Sequence, residues 1–127
     1  MTVPGVLVAT GVAFLVSFTF YALAPASPAP EQGAAPAPVA RPRMWQIAVE
    51  LLRGAVTATL VAALLAAGDR AGWRAGALLG LALWVLPLVL LTGSVVWENV
   101  AVRSAVPHAV DWLVKLLAIG AITGAFA

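Results

Sequence analysis

The last twenty-one residues, PHAVDWLVKLLAIGAITGAFA (Pro107–Ala127), decide the fold. Beyond Lys115 only the 12 uncharged residues Leu116–Ala127 remain, about 18 Å of helix at 1.5 Å per residue. A hydrocarbon core is about 30 Å thick. The segment is too apolar for water and too short to cross lipid without its charges, so Lys115 and Asp111 must enter the span. His108, Asp111 and Lys115 are spaced i, i+3 and i+7, which puts them on one helical face. One charged face on an otherwise apolar helix calls for other helices to cover it.

The rest of the chain agrees. Of 127 residues, 63% are hydrophobic and 9% charged, against about 25% charged in a soluble domain. Mean hydropathy is +1.04, and a chain this short has too little interior to hide that apolar surface. Zero cysteines exclude disulfide scaffolds, thiol catalysis and thiolate metal sites. The single histidine argues against His-rich metal centres. No Gly-x-Ser-x-Gly elbow, phosphate loop or cofactor motif appears. The net charge of +2, without a basic cluster, gives no footprint for nucleic acid.

Hydropathy marks four spans, about 3–24, 44–68, 75–97 and 107–127, so the expected fold is an all-α integral membrane protein, a four-transmembrane-helix bundle in one domain. Pro4 and Pro107 suit first helical turns, where a missing N–H costs nothing. Met1-Thr2 lacks the basic residues of a signal peptide, so the first span reads as a retained helix. The first connection, 25–43, holds six of the nine prolines and reads as a solvated polyproline II or disordered connector. The other two connections are short, which makes spans two, three and four antiparallel neighbours, and Gly68 reads as a C-cap. With the N-terminus on side A, side B carries Arg41, Arg43 and Arg103, with Arg53 and Lys115 nearby, against Arg70 and Arg74 on side A. The excess of basic residues places side B in the cytoplasm and both termini outside. Tyr21, Trp45, Trp97 and Trp112 near side B and Trp73 near side A form the interfacial belts, and only Trp84 sits deep.

The second span repeats the argument of the fourth. Gly54–Gly68 supplies 15 uncharged residues, about 22 Å, so Arg53 and Glu50 enter it too. Gln46, Glu50, Arg53 and Thr57 share one face, as do Ser94 and Glu98 in the third span and Thr10, Ser17 and Tyr21 in the first. Turned inward, Glu50, Arg53, Glu98, Asp111 and Lys115 satisfy one another, with Arg103 available for the surplus negative charge. His108, one turn before Asp111, is placed to act as a pH-sensitive neighbour. No recognisable spacing assembles a metal site from His108, Glu98 and Asp111. Gly76-x-x-x-Gly80 and Gly120-x-x-x-Gly124 lie at matching depth near side A, where small residues let spans three and four approach closely. Pro87 should kink the third span.

Gly76-Ala77-Leu78-Leu79-Gly80, Trp84, Trp97-Glu98 and His108-Ala109-Val110-Asp111-Trp112-Leu113-Val114-Lys115-Leu116-Leu117 resemble the small four-span bacterial membrane proteins grouped as domain of unknown function 1761. The likeness is strongest over the C-terminal two-fifths. Members often end the first span in a Trp-Tyr-x-Pro-like turn, where this chain has Phe20-Tyr21-Ala22-Leu23-Ala24-Pro25. The resemblance implies a four-helix membrane protein with no assigned activity. Together with the Ala-rich, Arg-over-Lys composition it points to the inner membrane of a GC-rich bacterium. The expected role is non-catalytic, a scaffold or accessory subunit that meets the lipid bilayer and works as a homo-oligomer or with a larger membrane partner. A small-solute or proton-coupled carrier comes second, and a membrane enzyme using carboxylates is a distant third.

Overall fold

A computed structural model describes residues 2–23 and 43–127 of the chain. The Pro-rich segment 25–42, with Arg41, lies outside the described residues, as does the side chain of Tyr21. Five helices follow in order: α1 (Val3–Leu23), α2 (Met44–Ala67), α3 (Trp73–Leu83), α4 (Val85–Trp97) and α5 (Val102–Ala125). Helices α3 and α4 are two halves of one span. Pro87 has no N–H to offer the Leu83 carbonyl and its ring crowds that oxygen, so the helix loosens at Trp84 while its backbone stays right-handed helical, φ −60° and ψ −23°. Four helical stretches, Val3–Phe20, Met44–Ala67, Trp73–Trp97 and Val102–Ala125, are therefore long and apolar enough to cross a membrane.

Helix α5 is the hub, packing against α1, α2, α3 and α4. It runs antiparallel to α3, with Gly120 against Gly76 and Leu116 against Gly80. It also runs antiparallel to α1, with Phe126 beside Gly5 and Asp111 beside Ser17. Side A thus gathers the start of α1, the α2–α3 turn and the end of α5. A thin core of small and branched residues (Ala9, Ala13, Ala58, Val61, Leu65 and Ile119) joins α1, α2 and α5. Leu7, Leu15, Leu52, Leu60, Leu86 and Leu90 point outward instead. The outer surface is made of the residues a soluble domain would hide. Trp45 and Trp97 stand exposed at the side B helix ends and Trp73 at side A.

The two described turns move the start of the third span from the expected 75 to Trp73 and that of the fourth from 107 to Val102. Gly68 is the C-cap of α2, but its φ is −88°. The left-handed residue is Asp69, φ 51°, whose short polar side chain tolerates that conformation. Gly72, φ +98°, then opens α3, and its N–H donates to the Gly124 carbonyl at 2.8 Å, tying the turn to the end of α5. At side B, Asn99 takes the left-handed conformation, φ 56°, and the N–H groups of Glu98 and Val100 both reach the Ser94 carbonyl, at 3.1 and 3.2 Å. That closure ends α4 so promptly that α5 begins at Val102, five residues before the expected start at Pro107. Pro107 is held inside the helix near its N-terminal end. The carbonyl it leaves without an N–H partner is that of Arg103, an exposed residue, so the cost is small.

Candidate functional site

Glu50 and Arg53 of α2 meet Asp111 and Lys115 of α5 in the side B half of the bundle. Each helix first makes its own pair. Glu50 and Arg53 are one turn apart, with Arg53 Nη1 donating to Glu50 Oε2 at 3.0 Å. Asp111 and Lys115 are likewise one turn apart, with Lys115 Nζ 3.0 Å from Asp111 Oδ2. Such i, i+3 and i, i+4 pairs form within a single helix. Tertiary packing then joins them, because Lys115 Nζ also donates to Glu50 Oε1 at 3.1 Å. The result is an alternating row, Asp111–Lys115–Glu50–Arg53, whose formal charge sums to zero.

Burial grades along this row. The side chains of Asp111 and Lys115 are 2% and 5% exposed, that of Glu50 27% and that of Arg53 52%. Removing an ammonium and a carboxylate from water is costly unless each finds its partners, and here each does. Lys115 lies between two carboxylates, and its Nζ stands 4.4 Å from the centre of the Trp112 ring. Trp112 also faces Arg53, whose guanidinium carbon is 5.4 Å from the ring centre. One indole therefore contacts both cations, a favourable arrangement for its electron-rich face. Ser17 of α1 closes the third side, with its hydroxyl 3.3 Å from Asp111 Oδ1 and 3.4 Å from Glu50 Oε1. Among the described residues no buried side-chain nitrogen or oxygen lacks a partner.

Ser17 and Trp112 are members that the sequence did not assign to the row, Ser17 being expected only on an inward polar stripe and Trp112 in an interfacial belt. The buried face of α1 is Gly5, Ala9, Ala13 and Ser17, a small residue every fourth position. That period was the legible signal, and it differs from the expected Thr10, Ser17 and Tyr21 face. Thr10 is only half-buried and spends its hydroxyl on the Val6 carbonyl.

Glu98 and His108 stand apart from the row. Glu98 is the exposed C-cap of α4 and makes no ion pair among the described residues, which corrects the expectation that it lies against a cation. Helix α4 does not approach α2, so its side B end cannot deliver a carboxylate to Arg53. His108 is exposed on the second turn of α5. Without Glu98 the row is already neutral, and Arg103, which is exposed, has no surplus charge to offset. Among the described residues no three His, Asp or Glu side chains converge to hold a metal ion.

The four glycines act at the other end. A Cβ on Gly76 would sit 2.5 Å from the Gly120 carbonyl carbon, and one on Gly80 would sit 2.8 Å from that of Leu116. Gly120 and Gly124 press equally on Gly76 and Gly72. These helices touch backbone to backbone. At the side B end of the charge row, two residues before Asp111 on α5, the Ala109 carbonyl accepts from Trp84 Nε1 at 2.8 Å, fixing the loosened point of the third span to α5. A depression of about 280 Å³ opens at side A near Asp69, Arg70 and Thr123. Thr123 donates to the Ile119 and Gly120 carbonyls, so its hydroxyl hydrogen is already engaged.

No curated protein and no solved structure matches the chain. The family model described as "Protein of unknown function (DUF1761)" matches residues 4–124, the first half included, and the chain belongs to that family.

Proposed function

We propose that this chain is a multi-pass protein of the bacterial inner membrane that acts without catalysis, as a scaffold or accessory subunit in a homo-oligomer or with a larger membrane partner. One observation carries the reading: the four charges deepest in the spans, Glu50, Arg53, Asp111 and Lys115, are spent on one another, in a row that sums to zero and reaches Ser17 and Trp112. A cargo site or an acid–base centre needs a group directed at a vacancy within the bundle, whereas a neutral row of mutually paired charges holds helices in one register. Side B, with Arg43, Arg53 and Arg103, faces the cytoplasm in this reading.

The test compares native-gel migration from mildly solubilised membranes with flux in sealed proteoliposomes. The parent should migrate above its monomer, and the doubly substituted Asp111→Leu/Lys115→Leu chain should migrate with it. Parent proteoliposomes should carry no protein-dependent proton or sodium current. Migration as a monomer would defeat the scaffold reading. A current that the double substitution abolishes would replace it with the carrier reading, which the graded exposure from Lys115 out to Arg53 favours.

A further inference from the structure

Arg53 has an unfinished hydrogen-bond inventory. A guanidinium carries five N–H donors in a planar fork. Nη1 is bound to Glu50 and one face of the group lies toward Trp112, but the Arg53 guanidinium donates no other hydrogen bond among the described residues. The edge formed by Nε and Nη2, two parallel donors, is open, and the side chain is half exposed.

Its depth makes that edge informative. From Arg53 to the end of α2 at Ala67 is 14 residues, a rise of about 21 Å. With Ala67 at the side A boundary of a core about 30 Å thick, the Arg53 backbone lies about 9 Å inside side B. Trp45, eight residues earlier, then falls about 3 Å outside that boundary, where interfacial tryptophans belong. Asp111, 14 residues from the end of α5 at Ala125, falls at the same depth as Arg53, in keeping with their shared row. The tie to Glu50, one turn nearer side B, leans the guanidinium toward the headgroups.

Hydrocarbon offers no acceptor to the open edge, and unsatisfied N–H groups there are costly. A phosphodiester brings two anionic oxygens in the spacing a guanidinium fork binds. Val49, Val56 and Leu60, at i−4, i+3 and i+7 from Arg53, share its face of α2 and are exposed, and Val56 and Leu60 make an apolar track leading from the guanidinium toward mid-membrane. We propose that Arg53, with Trp112 beside it, binds the phosphate of one phospholipid of the side B leaflet, whose acyl chain lies along Val56 and Leu60. The inference rests on the four-span reading above.

The experiment counts lipids retained by the purified protein in native mass spectra. Parent, Arg53→Gln and Arg53→Lys chains are extracted from bilayers of phosphatidylglycerol and phosphatidylethanolamine, or of a phosphate-free digalactosyl lipid. The parent should keep one phospholipid, with occupancy reduced about tenfold in Arg53→Gln and less in Arg53→Lys, which keeps the charge but lacks the fork. Galactolipid should not be retained, and excess inorganic phosphate should not displace the phospholipid. Equal retention by Arg53→Gln, equal retention of galactolipid, or displacement by inorganic phosphate would overturn the proposal. Melting in the same detergent shows whether Arg53→Gln folds. If it does not, the Arg53→Lys and galactolipid arms on folded protein decide. Alkaline extraction of membranes separates the two readings, since release of the parent chain would sink the four-span reading itself.

Discussion

Lys115 is the residue on which the charge row turns. It bridges Asp111 on its own helix and Glu50 on α2, so its loss leaves the buried Asp111 carboxylate without its cation and facing Glu50. Lys115→Leu should therefore cost about 3–5 kcal/mol, as breaking buried pairs does, read as a lowered melting midpoint in detergent. Asp111→Leu should cost less, because Lys115 keeps Glu50. The double Asp111→Leu/Lys115→Leu chain should recover much of the loss and leave only the Glu50–Arg53 pair near the surface. A double variant less stable than Lys115→Leu would show that the row is not paired in this way. Ser17→Ala removes the hydroxyl shared by two carboxylates, and at 3.3–3.4 Å those bonds are long. Its cost should be about 1 kcal/mol. Spacing along each helix revealed the one-turn pairs Glu50/Arg53 and Asp111/Lys115. The link from Lys115 to Glu50 and the place of Ser17 depend on how three helices are rotated about their axes, which spacing within one helix does not encode.

At the scale of elements, the contact between α3 and α5 is the closest in the molecule and the least tolerant of added atoms. Gly76→Leu should separate the two helices and lower stability by at least the 1–3 kcal/mol typical of overpacking, about 2 kcal/mol or more, measured by thermal unfolding in detergent. Gly93 of α4 is the matched control, since nothing lies within 4 Å of where its Cβ would be. Gly93→Ala should be neutral or stabilising by up to about 1 kcal/mol, the helix-propensity difference. Equal melting of the Gly76→Leu and parent chains would remove close backbone packing as the reason for the motif. Pro87→Ala restores an N–H to the Leu83 carbonyl and should straighten the third span. Spin labels at Trp73 and Trp97 should then show a longer separation. An unchanged distance would assign the loosening at Trp84 to the Trp84–Ala109 hydrogen bond instead. The glycine pairs and Pro87 were legible because small residues four apart and a mid-span proline each have a mechanical meaning. The start of α5 was not, since Asn99 ends α4 and lets the next helix begin ahead of Pro107.

For the whole molecule, four crossings would place residues 2 and 127 on one side of a membrane and residues 23 and 43 on the other. A reporter fused after Ala127 and one inserted within Ala34–Ala37 should give opposite accessibility in intact cells. The same accessibility for both would defeat four crossings. The excess of basic residues further predicts that the Ala34–Ala37 reporter is cytoplasmic. Outward-facing leucines on the first three spans, outward-facing valines on α5 and a core rich in alanine express one physical condition, that the surrounding solvent in the proposed setting is apolar and the interior is where polarity collects.

Composition alone settled that most of this chain seeks an apolar solvent, and hydropathy with length arithmetic settled four helical stretches with Glu50, Arg53, Asp111 and Lys115 forced inside two of them. Those properties are sums and periods along one strand, so they need no partner to be read. Only the tertiary structure decided that α5 is the hub and that Lys115 crosses to Glu50. It also decided that Ser17 and Trp112 join the row while Glu98 and His108 stay outside it. Each of those outcomes depends on which helices are neighbours and how each is turned. Glu98 shows the difference plainly: its sequence position puts it at the correct end of the bundle, but it sits on α4, which never comes near α2.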